Sequence, residues 1–448
     1  MHPDLIKKYN VAAPRYTSYP TVPYWQSETP TESEWAERFN ITFSQNNEIS
    51  LYIHLPFCES LCTYCGCNKR ITKNHGVESP YVNALLQEWD MYLEYLPFKP
   101  TLKEVHLGGG TPTFFSPEQI ERLMKGIFEK AEIAEDHAFS FEAHPWSTTQ
   151  EHLTTFRNLG FNRISIGVQD FDQEILAIIN RHQTTEQVEN VVNWSRALGY
   201  DSINFDLIFG LPLQEPHHIE ETMRQVKRLQ PDRIAFYSYA HVPWVSPSQR
   251  GYSEEHLPLG DKKQFLYELG KKLLQEDGYH EIGLDHFAKE TDDLYQALEN
   301  GTLHRNFMGY TSFHTDLMIG LGASSISDSG TAFIQNEKKI EAYQERIEEG
   351  GIPIIKGHLH SREDIVIRKH ITALMCQHST TWDENEAVYL EQIMPRLEDM
   401  EKDGIVKILY NQIIVTEIGM PFIRNICMAF DQRLWAKKPT TQLFSQVV

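Results

Sequence analysis

The stretch Leu51-Tyr-Ile-His-Leu-Pro-Phe57, followed at once by Cys58, Cys62 and Cys65, decides how this chain is read. Its apolar and aromatic content, closed by a proline, reads as a buried strand. The C-x3-C-x2-C run then lies on the loop that leaves that strand. Iron–sulfur clusters usually take four cysteine thiolates. Three thiolates at this spacing supply a four-iron cluster and leave one iron without a protein ligand, open to a small molecule that receives an electron. Cofactors rather than side chains carry redox and radical work, so the run points to that chemistry.

The competing reading is a structural zinc site with Cys67 as fourth ligand, since zinc favours a closed tetrahedral set. Zinc knuckles split their ligands into two pairs, whereas here all four cysteines fall on one loop, so Cys67 reads as a spare thiol beside a cluster. The chain has 6 cysteines in 448 residues, too sparse for a disulfide framework. Cys376 and Cys427 lie in apolar helical contexts and read as buried thiols.

Short strand-like runs alternate with helical periodicity on both sides of the cysteine loop. The strand candidates are 50–54, 104–107, 139–143, 163–168, 202–209 and 233–239; the amphipathic stretches include 80–95, 116–131, 185–198 and 218–229. Six strand–helix repeats imply a parallel sheet, curved or barrel-like, with the chemistry at the carboxyl ends of the strands. The residues at those ends are Gly108-Gly-Gly-Thr-Pro112, Glu142, Gln169, Asp206 and Ala240-His241. From Gly351 the pattern changes to helices over 363–376 and 384–402, then a hairpin over 403–417, as in a winged-helix-like module. The segment 14–20, Pro-Arg-Tyr-Thr-Ser-Tyr-Pro, is too proline-bounded for a regular element. The expected divisions are therefore 1–49, 50–350 and 351–448.

Composition narrows the function. The formal net charge of −21 repels polyphosphate at long range and argues against nucleic acid as principal partner. No run approaches the ~20 apolar residues of a membrane span, and the N-terminus lacks the apolar core of a secretory signal. The expectation is a soluble, cytoplasmic protein, with nothing that demands more than a monomer.

Other residues gain meaning from position. A glycine run after a strand lets backbone approach a ligand and donate N–H groups. Glu142 and Asp206, buried at strand ends, need partners, either a ligand's ammonium or hydroxyl or a salt bridge within the barrel. Arg181 reads equally as a site residue or a surface ion pair. His54 and His106 read as hydrogen-bonded structural residues rather than iron ligands.

Together these motifs resemble the radical S-adenosylmethionine (SAM) superfamily, whose signature is this cysteine loop followed by a glycine-rich segment. Within it the chain is similar, over about 5–445, to the oxygen-independent coproporphyrinogen III oxidases. The distinguishing stretches are Pro14–Pro20, Cys65-Gly-Cys67-Asn-Lys69, Gly283-Leu-Asp-His-Phe-Ala288 and Leu303-His-Arg-Asn-Phe-Met-Gly-Tyr-Thr311. The resemblance implies an α/β fold, a partial (βα)6 TIM-like radical SAM barrel, with a small helical, winged-helix-like C-terminal domain. It implies a [4Fe–4S] cluster on Cys58, Cys62 and Cys65, with SAM chelating the open iron and yielding a 5′-deoxyadenosyl radical. That radical would start the decarboxylation of two propionates of coproporphyrinogen III to vinyl groups, giving protoporphyrinogen IX. An electron donor such as a flavodoxin or ferredoxin is the implied partner.

Two SAM molecules are implied. By motif position, Tyr52, Gly109, Glu142 and Ile326 match contacts to one; Tyr64, Gly110, Thr111, Gln169, Arg181, Asp206 and Ala240 match contacts to the other. Tyr52 and Glu142 are also the positions the resemblance makes catalytic. Two departures stand out: Tyr64 replaces an expected phenylalanine, and His144 an expected Asp or Asn. The substrate's carboxylates make Arg15 and Arg305 candidate anchors. The alternative within the superfamily is a haem-binding chaperone without dehydrogenase activity.

Overall fold

The computed structural model describes residues 3–243 and 247–437. Twelve strands form one open sheet: β1 (Glu48–Leu55), β2 (Thr101–Gly109), β3 (Glu132–Ala143), β4 (Arg163–Gln169), β5 (Ser202–Phe209), β6 (Arg233–Ser238), β7 (Tyr279–Gly283), β8 (His286–Lys289), β9 (Leu317–Leu321), β10 (Ile326–Asp328), β11 (Ala332–Asn336) and β12 (Ile354–Leu359). Their spatial order is β12-β11-β10-β9-β1-β2-β3-β4-β5-β6-β8-β7. The run from β9 through β1 to β6 is parallel, and the flanks are antiparallel. The six expected strands are therefore present; the first four are longer than expected, β5 has the expected bounds and β6 ends one residue early. The added parallel strand β9 and the five antiparallel strands were not anticipated.

The crossovers are helices, among them α1 (Glu78–Glu94), α2 (Pro117–Phe128), α3 (Gln150–Asn158), α4 (Thr185–Ala197), α5 (Pro216–Leu229) and α6 (Asp261–Glu276). Helix starts follow sequence chemistry. Ser116 caps α2 by accepting from Gln119 N–H, and Thr184 and Gln187 form a capping box on α4, each such cap contributing about 1 kcal/mol. The core is continuous with the sheet: Leu51, Ile53, Val105, Leu107, Phe139, Phe141, Ile166, Phe205 and Ile234 are fully buried or nearly so.

The boundary expected at residue 350 falls between β11 and β12, which pair with each other, so the sheet runs on into the segment read as C-terminal. The segment before β1 is also more regular than expected. A helix over Glu32–Gln45 starts at a Thr31/Glu34 capping box and buries Trp35, Phe39 and Phe43. Residues 14–20 do lack regular structure, yet they are clasped. The Arg424 guanidinium donates to the Ala13 and Pro14 carbonyls, and Tyr16 donates to Asp431 at 3.0 Å. The long helix expected over 384–402 is two, Glu384–Leu390 and Met394–Lys402, with Pro395 in the first turn of the second. Proline is tolerated there because that N–H has no partner in any helix. The expected hairpin is Val406–Leu409 paired with Gln412–Val415, joined by a third strand, Ser379–Thr381.

One polar knot ties α1 to the far side of the parallel run. Glu88, fully buried, accepts from Gly322 N–H at 2.8 Å, Asn336 at 2.5 Å and Tyr343 at 2.6 Å. Burial pushes its carboxyl up to about 7 despite these donors. Glu88→Ala should strand several buried donors and cost about 3 kcal/mol or more, read as a lower urea midpoint; an unchanged midpoint would refute this role.

Candidate active site

The cysteine loop is anchored where β1 and β2 end. Gly110 N–H donates to the Leu55 carbonyl at 2.9 Å and Thr111 N–H to that of Phe57 at 3.0 Å. These bonds carry the strand ladder past the strands themselves. A Cβ at Gly110 would lie 2.6 Å from the Pro56 carbonyl carbon, so only glycine fits. Gly109, at φ +107°, lies against the His54 ring and donates its N–H to Glu142 Oε2 at 3.1 Å. The expectation that this run donates N–H groups to a ligand is corrected: the N–H groups of residues 109–111 are spent on the protein itself.

The thiols of Cys58, Cys62 and Cys65 are free and half-buried, and Cys67 is exposed. Two of them receive donors from elsewhere in the barrel: the Thr111 hydroxyl reaches Cys58 Sγ at 3.3 Å and Arg181 Nη1 reaches Cys62 Sγ at 3.5 Å. Burial pushes the Cys58 thiol up to about 11, whereas the neighbouring Cys67 thiol and the Lys69 ammonium draw Cys65 below the usual thiol range. Among the described residues, no three His, Cys, Asp or Glu side chains are placed to hold a single ion. A lone tetrahedral zinc needs sulfurs about 3.8 Å apart; a polynuclear cluster sets each thiolate on its own iron. Three sulfurs on one loop, two already facing hydrogen-bond donors, fit the cluster.

Arg181 links this loop to β4. It is buried, and it donates to the Gly167 carbonyl, to Gln183 at 2.8 Å and to the Tyr64 hydroxyl at 3.2 Å. The surface ion pair is thereby excluded, and the extra hydroxyl of Tyr64 has a partner. Gln169 closes β4 at a register shift with φ +70°, a conformation uncommon for a non-glycine residue. His144 is held neutral by burial and by the nearby Arg181 charge.

Two carboxyls face the barrel interior. Asp206 on β5 accepts from Ser165 at 3.0 Å and Asn204 at 2.9 Å; burial, then the Glu142 charge, pushes it up to about 6. Glu142 stands 3.7 Å from His106 Nε2. Tyr52 donates to His54 Nδ1 at 3.0 Å, and His54 Nε2 donates to the Asn68 carbonyl at 2.8 Å. His106 Nδ1 shares a hydrogen bond with the Ser140 hydroxyl at 2.8 Å, and His54 ties β1 to the cysteine loop. Ile326 joins the same wall, since Gly320, in register with Tyr52, packs against the Ile326 carbonyl.

Beyond Ala240 opens a cavity of about 920 Å³ between β6, α6, the N-terminal segment and the C-terminal helices. Arg15 and Arg424 line it. Arg15 is paired with Asp285 and lies over the Tyr237 ring at 5.9 Å; Arg305 lies over Tyr310 at 4.3 Å. Burial, reinforced by Arg15 and Arg305, lowers Arg424 to about 9, and burial beside the arginines pushes His286 down to about 3. Arg305 is 7% exposed, and among the described residues its Nε and Nη1 have no hydrogen-bond partner.

The Radical SAM superfamily model matches residues 52–226. The oxygen-independent coproporphyrinogen III oxidase of Pseudomonas aeruginosa is 38% identical over 99% of this chain and 98% of its own length. That of Escherichia coli K12 is 37% identical over 99% and 98%. A solved coproporphyrinogen III oxidase from Escherichia coli, a radical SAM enzyme, superposes with a TM-score of 0.89 at 35% identity, covering 96% of this chain and 98% of that one. The chain belongs to the oxygen-independent coproporphyrinogen III oxidase family. It is a radical SAM oxidoreductase by that membership, and nothing in these comparisons supports the haem-chaperone alternative.

For a member of this family, the residues singled out from sequence lie around one end of the barrel. Tyr52, Gly109, Glu142 and Ile326 share one wall. Tyr64, Thr111 and Arg181 gather at the cysteines, with Gly110 in the same turn. Gln169 and Asp206 follow on β4 and β5, and Ala240 stands at the cavity mouth. Asp285 and Arg424 are cavity residues absent from the sequence-based expectation. Asp285 lies within the Gly283–Ala288 stretch, but only the fold brings Arg424 to it.

Asp206 generates a pH dependence. An aspartate raised from ~3.9 to about 6 disfavours its charged form in the fold, so ligand-free stability should fall as pH rises from 4 to 6. Asp206→Asn should match the wild type near pH 4. Above pH 6 it should be more stable by up to about 3 kcal/mol, less where cavity water screens the charge. Urea midpoints at pH 4.5 and 7 that differ equally in both proteins would overturn this.

Proposed function

We propose that the protein converts coproporphyrinogen III to protoporphyrinogen IX without oxygen, turning two propionates into vinyl groups. The observation that carries this reading is the buried Arg305, with two unmet donors beside the Arg15-lined cavity that opens from the cysteine-bearing barrel end. A carboxylate is the acceptor such a fork is shaped to bind. The cavity is large among small-molecule sites, which run about 300–1,000 Å³, and Tyr239, Tyr267 and Tyr310 give it aromatic walls.

Bound on Cys58, Cys62 and Cys65, the cluster with SAM would supply a 5′-deoxyadenosyl radical able to take hydrogen from a propionate β-carbon, after which loss of carbon dioxide and of one electron to a separate one-electron acceptor would leave the vinyl group. The chain's own part is binding and exclusion of water. Asp206 and Glu142 would accept from the ammonium or hydroxyl groups of SAM, and Arg181 would meet a carboxylate. Two SAM molecules would bind, one against Tyr52, Gly109, Glu142 and Ile326 and the other against Tyr64, Gly110, Thr111, Gln169, Arg181, Asp206 and Ala240. An electron donor, flavodoxin or ferredoxin in class, would reduce the cluster. Six free thiols suit a reducing cytoplasm. No helix among the described residues is long and apolar enough to cross a membrane.

Anaerobic protein with coproporphyrinogen III, SAM and dithionite should form methionine, 5′-deoxyadenosine and vinyl product together; SAM cleavage without vinyl product would reject the substrate. Cys62→Ser should abolish both turnover and the broad visible absorption of the cluster, and intact turnover would sink the proposal. Arg305→Ala should raise the substrate KM about 10- to 100-fold, the equivalent of one or two charge-assisted hydrogen bonds, with Arg305→Lys intermediate and Arg15→Ala raising it less. Normal KM values in all three would reject the anchoring role.

A further inference from the structure

The rim outside the cysteine loop departs from the charge of the rest of the molecule. Between Ser60 and Val77 the chain carries Lys69, Arg70 and Lys73 and no Asp or Glu, although the whole chain has a net charge of −21. The fold enlarges this strip. The Asn68 carboxamide donates to the Lys338 carbonyl at 2.9 Å, setting the exposed Lys338 and Lys339 beside it. Arg70 grips Glu341 with two bonds at 2.7 and 2.9 Å; Glu337 and Glu59 are the other acids at the margin. Lys69 is turned inward, donating to the Cys65 and Cys67 carbonyls at 2.9 and 3.4 Å. The strip also exposes apolar surface, Leu61 at 36% and Ile71 at 39%, next to the exposed Gly66 and Cys67.

We propose that the basic rim formed by Arg70, Lys73, Lys338 and Lys339 around Leu61 and Ile71 is the docking face for a small acidic one-electron carrier protein. This rests on the proposed reaction, in which the reduced carrier loses one electron and the cluster gains it. Electron transfer falls steeply with distance, and this rim is the outer face of the loop that bears the three thiols. An acidic carrier is repelled by most of the surface, and a local basic patch selects both its approach and its orientation. The small apolar centre with a charged rim suits a transient encounter rather than a permanent complex.

The test uses the cluster-loaded protein and purified FMN flavodoxin as the acidic probe, with dithionite as a reductant that needs no docking. Binding is read by calorimetry, and cluster reduction by stopped-flow absorbance, at 50 and 300 mM salt. The K73E/K338E/K339E triple should weaken flavodoxin binding at least tenfold at low salt and slow reduction by flavodoxin to a similar degree. Reduction by dithionite should not change. The wild-type advantage should shrink at high salt, as screened surface charges require. A control triple, K99E/K125E/K130E, lies on the opposite rim near the starts of β2 and β3 and should change binding less than twofold.

Equal weakening by both triples, or by neither, would overturn the proposal, as would wild-type binding that is weak and indifferent to salt. Should the first triple lose its cluster, K73Q/K338Q/K339Q replaces it, and unchanged flavodoxin binding there overturns the assignment. Failure of the wild type to make vinyl product with dithionite would instead fall on the proposed reaction, since flavodoxin binding is read independently.

Discussion

The site depends on the way β1 and β2 leave the sheet together. Their ladder does not stop at Leu55 and Gly109; it continues through Gly110 N–H to Leu55 and Thr111 N–H to Phe57. That continuation fixes the direction of the cysteine loop, and it requires a residue without a side chain where Pro56 passes. A buried backbone donor left unmet costs about 1–3 kcal/mol, so the two bonds together resist any other exit. The Thr111 hydroxyl is thereby delivered to Cys58 and the Glu142 carboxylate to Gly109. Parallel neighbours then place one polar residue per strand end around the same interior, from Tyr52 through Glu142 and Asp206 to Tyr237.

Much of this was legible in the sequence because it is local. Strand ends are marked by glycine and proline, and the cysteines lie within eight positions of one another, so loop and chemistry could be read together. The flanks were not legible for a physical reason. Leu317-Met-Ile-Gly-Leu321 is a five-residue apolar run with a glycine inside, and such a run carries too little periodicity to distinguish strand from buried turn. The helix over Glu32–Gln45 was readable, since Thr31 and Glu34 frame a capping box and Trp35, Phe39 and Phe43 recur every four residues; proximity to the proline-bounded segment obscured it. Pro395 marked a helix start where an unbroken periodic pattern suggested continuation.

The glycine run shows a different limit. Its residue types were read correctly and its purpose was not, because glycine before a ligand and glycine before another strand give the same string. The arginines show a third. Arg15, Arg305 and Arg424 are each more than a hundred positions from the next, and only the packing of Tyr9, Tyr16, Tyr310, Ile426 and Phe430 in a second core brings them together.

That second core also explains how an acidic protein can offer a site to an anion. The field of −21 charges acts in water, where it is screened beyond about 8 Å at physiological ionic strength. Inside the cavity the dielectric is lower and the nearest charges dominate. Burial has already depressed Arg15 and Arg424 and kept His286 neutral, so the fold bears the cost of desolvating these guanidiniums before any ligand arrives. A carboxylate entering there relieves part of that cost, whereas a neutral porphyrin edge does not. Selectivity for a propionate-bearing macrocycle would then arise from the unmet donors of Arg305 beside these desolvated guanidiniums, with the long-range field serving to keep polyanions without a fitting shape at a distance.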